Sequence, residues 1–126
     1  AALGAMKNAY APYSHCYVGT ALLCEDGAVY TGCNVENASF GATNCAERTA
    51  VFKAVSEGKR KFTAIAVVGG KDGIVTEMFP PCGVCRQVLS EFAVKDMRVI
   101  LFDGEKMESR NFWELLPFSF SSDKVN

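Results

Sequence analysis

Two short segments, Asn44-Cys45-Ala46-Glu47-Arg48 and Pro81-Cys82-Gly83-Val84-Cys85, limit the folds open to this chain more than any other feature. The first offers a thiol and a carboxyl with one residue between them. The second offers two thiols in a C-x-x-C turn behind prolines. Three thiolates and one free carboxylate are the inventory of a catalytic zinc site: three protein ligands, an open position for water, and a base beside it. A fold that uses them must carry two distant segments to one point.

The pattern of elements around these segments predicts how that is done. Ala1 to Tyr10 reads as the end of a helix, trimmed at its start because the chain begins without an initiator Met, and stopped by Pro12. Val18 to Cys24 and Ala28 to Val35 read as two strands joined by Glu25-Asp26-Gly27, a hairpin signal. Asn37 to Asn44 is a loop. Asn44 is expected to cap a helix over Cys45–Val55, with Glu47 at the capping-box position and Gly58 just past the end. Ala46, Ala50, Val51 and Ala54 supply its buried face. Phe62 to Val68 reads as a buried strand closed by Gly69-Gly70, and Lys71 to Glu77 as a polar connection. A second helix is predicted from Cys82 to Phe92, with Val84, Val88, Leu89 and Phe92 as its apolar stripe. Arg98–Phe102 is the next strand, Met107–Arg110 a short edge strand, Phe112–Leu116 a helical turn, and the tail from Ser121 is expected to fray. Strands alternating with helices after one hairpin predict an α/β fold, a three-layer α/β/α sandwich on a mixed five-stranded sheet. With no repeat or linker, residues 1–126 read as a single domain.

Composition narrows the function. Lys plus Arg is 13 against 14 for Asp plus Glu, without the basic surplus or stripe that a nucleic acid polymer demands. Lys59-Arg60-Lys61, the one dense basic cluster, reads as a solvated helix end. Six cysteines in a short chain can signal a secreted disulfide scaffold, but a normal apolar core, no signal-peptide pattern and a C-x-x-C pair favour reduced thiols in the cytoplasm. No apolar run reaches membrane-spanning length. The 49% hydrophobic content suggests some burial in an oligomer.

Cys45 lies near the start of one predicted helix, Cys82 and Cys85 near the start of the other, where free N–H groups and the helix dipole favour thiolate. Two other readings exist for the pair: a redox C-x-x-C, or half of a closed structural zinc site with Cys16, Cys24 or Cys33 as fourth ligand. The pair comes late in the chain behind Pro-Pro, unlike most redox pairs. Cys24 and Cys33 fall in strand patterns and read as core. His15, the only histidine, sits in the loop before the first strand. Glu47 favours the catalytic reading, because it reaches a metal-bound water from two residues away without ligating. Three thiolates leave a negative centre, for which Arg48 and Arg86 are candidate compensating charges.

The segments N-C-A-E-R-T-A and P-C-G-V-C-R-Q resemble the zinc-dependent cytidine deaminases of the small nucleoside type with three cysteine ligands. Y-S-H-C-Y-V-G, G-C-N-V-E-N-A-S and E-L-L-P-F-S-F extend the resemblance along nearly the whole chain. It implies a cytidine deaminase-like fold and one zinc per chain, held by Cys45, Cys82 and Cys85. It implies Glu47 as the proton carrier, Asn34 and Glu36 on the ribose, and the Ala46 N–H on the base carbonyl. Phe120 would close over the base from a neighbouring subunit of a homotetramer. Cytidine and deoxycytidine are the expected substrates; another small aminopyrimidine nucleoside such as blasticidin is the alternative. Cys16 stands where relatives commonly have Phe against the base, so the aromatic wall must come from elsewhere, with Tyr17 as a candidate. Phe40 stands where many have Tyr.

Overall fold

The computed structural model describes residues 1–125. Its centre is a five-stranded sheet: β1 (Cys16–Cys24), β2 (Val29–Cys33), β3 (Phe62–Lys71), β4 (Ala93–Phe102) and β5 (Met107–Asn111), in the order β2-β1-β3-β4-β5. β1 runs antiparallel to both β2 and β3, β3 and β4 are parallel, and β5 is antiparallel to β4. The sheet is therefore mixed, as expected, and β2, β3 and β4 share one direction. Helix α2 (Ala46–Ser56) follows β2 and helix α3 (Gly83–Ser90) follows β3. Both helices thus start from the same end of the sheet, the carboxyl ends of like-directed strands, where open α/β sheets place their ligands.

Strand alternation sorts the side chains into two layers. Leu22, Ile65, Val67 and Val99 face Ala50, Val51 and Ala54 of α2 and Leu89 of α3 in the main core. Each large aliphatic side chain buried there contributes about 1.5–3 kcal/mol. On the other face, Val68 packs with Ala2 and Met6 of α1 (Ala2–Met6), flanked by Tyr17, Ala21, Ala66 and Phe102. Two glycines let the layers approach. A Cβ on Gly19 would lie 2.1 Å from the Ala2 carbonyl oxygen, and one on Gly32 2.5 Å from that of Ala46.

Local signals explain most boundaries. Gly27 takes a φ of 93° in the β1–β2 turn, where the Cys24 carbonyl accepts its N–H. At the end of α2, Gly58 adopts a φ of 92°; its N–H reaches the Val55 carbonyl and that of Lys59 reaches Ala54, a Schellman closure. The predicted buried face of α2 is buried.

Other boundaries differ from the sequence reading, and tertiary pairing is the reason. The first helix ends at Met6, because the Tyr10 backbone is taken by Asn34 and Glu36: Tyr10 N–H donates to Asn34, and Glu36 N–H to Tyr10. Asn44 does not cap α2. Its backbone pairs with Val35, its amide donates to Thr49 Oγ1, and Cys45 becomes the N-cap, which moves Glu47 to the second helical position. Gly69-Gly70 does not close β3, since both residues pair with β1 opposite Val18 and Tyr17. A Cβ on Gly70 would meet the Ile74 carbonyl oxygen at 1.8 Å, so close chain packing is what the glycine serves. α3 ends at Ser90, and Val84 from its expected apolar stripe is exposed. β4 begins at Ala93 rather than Arg98, because parallel pairing starts at Phe62 opposite Ala93. The tail forms a short 3-10 turn over Ser122–Lys124, and residue 126 lies outside the described residues.

Gly32→Ala is expected to destabilise the protein by about 1–3 kcal/mol, because the new methyl group overlaps the α2 backbone. Gly4→Ala, in α1 with open space around it, should be neutral or stabilising by up to about 1 kcal/mol. Urea unfolding of the two variants beside the parent checks both signs.

Candidate active site

Cys45 and Cys82 are the N-cap residues of α2 and α3. Their carbonyls accept the first helical hydrogen bonds, from Thr49 and Arg86, while neither thiol caps its own helix. Cys85 sits one turn into α3 and is fully buried. The three sulfurs lie within 4.8 Å of one another, and Cys45 Sγ is 3.9 Å from Cys82 Sγ. Zinc–sulfur bonds of about 2.3 Å put tetrahedral thiolates about 3.8 Å apart, so the spacing fits one zinc ion held by three sulfurs. Cys16, Cys24, Cys33 and His15 do not join the cluster. Among the described residues, no side chain supplies the fourth ligand that a closed structural site requires.

The thiols differ in acidity. The Cys85 thiol beside it holds Cys45 well below the usual thiol range, with help from Arg48, whose Nη2 donates to Cys45 Sγ at 3.3 Å. Cys85 is pushed up by the same contact and by burial. Arg48 thus lies where the sequence reading put a compensating charge. Arg86 does not: its Nε donates to the Pro81 carbonyl at 2.8 Å and its Nη1 to that of Leu115 at 2.9 Å, clamping the C-terminal segment onto α3. Thr49, which the sequence reading passed over, donates to the Cys33 carbonyl at 3.0 Å and ties α2 to the end of β2. Its place within N-C-A-E-R-T-A was the available signal.

A cavity of about 260 Å³ opens beside Cys45 and Cys82. Asn34, Glu36, Ala46 and Glu47 line it, together with Val18, Thr43, Val67, Phe79 and Pro80. Glu47 is only 4% exposed, and burial pushes its carboxyl up to about 7. Ala46, fully buried, occupies the first position of α2, where N–H groups have no helical partner. Asn34 fastens the cavity wall to β1: its Oδ1 accepts from Val18 N–H at 2.9 Å, and its Nδ2 donates to the Cys16 carbonyl at 2.8 Å. Glu36 accepts the backbone N–H groups of Tyr13 and Ser14 at 2.9 and 3.1 Å, and also the Ser14 hydroxyl. The Ser14 hydroxyl is the main reason its carboxyl is held below the usual range.

The expected aromatic positions are arranged differently. Tyr17 faces the opposite side of the sheet, against α1, because Val18 takes the cavity side. Cys16 is half-buried and outside the cavity lining. Phe40 is 76% exposed and meets Tyr13 edge-on at 6.0 Å. Phe120 lies outside its own chain's cavity, 60% exposed, with its carbonyl accepting from Gln87 Nε2. Phe79, which the sequence reading did not single out, is the aromatic residue that does line the cavity. Its place just ahead of Pro80-Pro81-Cys82 was the only sequence hint. No helix among the described residues is long and apolar enough to cross a membrane.

Residues 1–101 match the family described as the cytidine and deoxycytidylate deaminase zinc-binding region. The chain is 50% identical over 127 residues to a cytidine deaminase of Halalkalibacterium halodurans, covering 99% of this chain and 92% of that protein. It is 49% identical over 123 residues to a cytidine deaminase of Sporosarcina psychrophila, covering 97% and 88%. A crystal structure of cytidine deaminase from Burkholderia pseudomallei superposes with a TM-score of 0.85 at 46% identity, covering 94% of this chain and 93% of that one. One zinc per chain follows from the zinc-binding family and the three-cysteine cluster. Metal analysis is expected to find one zinc per chain, retained in Cys24→Ala and lost to below about a fifth in Cys85→Ala, because two thiolates no longer close the site.

Proposed function

The chain belongs to the cytidine and deoxycytidylate deaminase family, and on that footing we propose that it hydrolyses cytidine and deoxycytidine to uridine and deoxyuridine with release of ammonia, in pyrimidine salvage. The observation that carries the reading is the buried Glu47 carboxyl in one cavity with Cys45 and Cys82. A purely structural zinc module has no use for it. The alternative substrate, a nucleoside such as blasticidin, is not favoured, since the relatives matched along nearly the whole chain carry the name cytidine deaminase.

Cys45, Cys82 and Cys85 would hold the zinc, which when bound supplies Lewis-acid activation of water. Glu47 takes a proton from the attacking water and places it on ring N3 as the water oxygen bonds to C4. Glu47 then carries the second proton to the amine leaving C4, so cytidine and water become uridine and ammonia. Burial keeps this carboxyl in a range where it both accepts and donates near neutral pH. The free N–H of Ala46, at the positive end of α2, donates to the base carbonyl. Asn34 and Glu36, already anchored to backbone, retain acceptor capacity for the sugar hydroxyls. Arg48 offsets the charge of the three sulfurs through Cys45.

Residues 1–126 act as one catalytic domain in this reading. Phe120 and Phe40, both exposed, support a homotetramer in which Phe120 covers a neighbour's cavity. Three of the six cysteines gathered as a metal-ligand cluster support a reducing, cytoplasmic setting. Small nucleosides are the partners; neither a nucleic acid polymer nor a membrane is one.

Glu47→Gln is expected to keep its zinc and its melting temperature while losing at least about 100-fold in turnover of cytidine, followed by ultraviolet absorbance. Unchanged turnover would remove Glu47 from the mechanism. Light scattering in solution should give four chains per particle, and a fully active monomer would contradict the shared cavity.

A further inference from the structure

Within one chain the cavity lining carries polar groups from Asn34, Glu36 and Glu47, yet it holds a single aromatic ring. Phe79 is the one aromatic residue in its lining. Tyr17 is turned to the far face of the sheet, and Phe120 lies outside the cavity of its own chain.

The ring of Phe79 has a built seat. It lies across Gly69 of β3, where a Cβ would stand 2.8 Å from Phe79 Cδ2 and 2.9 Å from Cγ. Any side chain at position 69 would displace the ring. Val18 Cγ2 stands 3.0 Å from the same point, so Val18 and the ring flank Gly69 together. The backbone behind the ring is stiff. Pro80 and Pro81 fix two successive φ angles, Pro81 is fully buried, and its carbonyl is held by Arg86 Nε at 2.8 Å. The ring also packs against the main core. A rigid aromatic surface in an apolar wall, a few residues ahead of the ligand Cys82, suits one kind of guest: a flat heterocycle offering its π-face.

We propose that Phe79 is the platform on which the pyrimidine ring of the substrate stacks, making it a specificity residue of this chain. The inference rests on the nucleoside reading above. Stacking acts on ground state and transition state alike, because the ring keeps contact with the platform while C4 reacts. Its loss therefore falls on KM rather than kcat.

The test compares Phe79→Leu and Phe79→Met, apolar but not aromatic, with Phe79→Tyr, which keeps the ring. Each is assayed for cytidine turnover, for zinc content, and for uridine binding by calorimetry, which needs no turnover. The two non-aromatic variants are expected to raise both KM for cytidine and Kd for uridine about tenfold, with kcat within about threefold of the parent. Zinc should stay at one per chain in all three, and Phe79→Tyr should stay within about twofold of the parent in KM. Unchanged KM and Kd in Phe79→Leu and Phe79→Met would overturn the proposal. So would loss of zinc or of folding in both, which would assign Phe79 to packing alone. A parent protein that neither turns over cytidine nor binds uridine would overturn the nucleoside reading itself. An active parent with indifferent Phe79 variants would overturn only the stacking.

Discussion

Three sulfurs from two helix starts must meet within a few ångströms, and the rest of the molecule is arranged to allow it. The common direction of β2, β3 and β4 puts the starts of α2 and α3 at one end of the sheet. Gly32 lets α2 lie close on β2, Thr49 fastens its first turn to the Cys33 carbonyl, and Arg86 fixes the chain entering α3. None of these residues need touch a substrate. They remove the freedom that would otherwise spoil a metal site through small errors in backbone position.

The same junction divides the electrostatic work. Helix starts favour negative sulfur, and Arg48 adds a positive partner at Cys45. Glu47, two residues on, is buried enough for its carboxyl to rise to about 7. A thiolate held low and a carboxyl held high within one turn of helix are opposite outcomes of one location. They are set by what each side chain faces: a guanidinium and a thiol for Cys45, low-dielectric protein for Glu47. The cavity beside them combines the polar groups of Asn34, Glu36 and Glu47 with apolar Val18, Val67 and Phe79 in one lining, the mixture a small polar ligand with an apolar face requires.

Much of this was legible in the chain itself. The two cysteine segments announced their chemistry, the Asp26-Gly27 hairpin and the Gly58 helix end followed their local rules, and the buried face of α2 obeyed its period. The failures share a cause: each concerns a group with two possible partners. Asn44 is a good cap by type, but a bridge to Val35 and a bond to Thr49 claim it first. Tyr10 is a fair helix residue until Asn34 and Glu36 recruit its backbone. Gly69-Gly70 looks like a turn, yet it is strand kept bare for Phe79 and the Ile74 carbonyl. Arg86, beside Cys85, looked like a site charge and is a structural clamp.

The inventory of the site was determined by sequence alone: three thiols, a carboxyl two residues from the first, and no histidine placed to complete a closed site. Those are covalent facts about residue type and spacing, and chemistry reads them directly. Which residues form the walls was decided only by tertiary structure. Whether Tyr17 or Val18 faces the cavity depends on a one-residue register of β1, and a strand offers its two faces equally until something packs on them. Met6 and Ala2 took one face and α2 the other, which sent Tyr17 away and left Phe79, from a loop distant in sequence, as the aromatic surface beside Glu47.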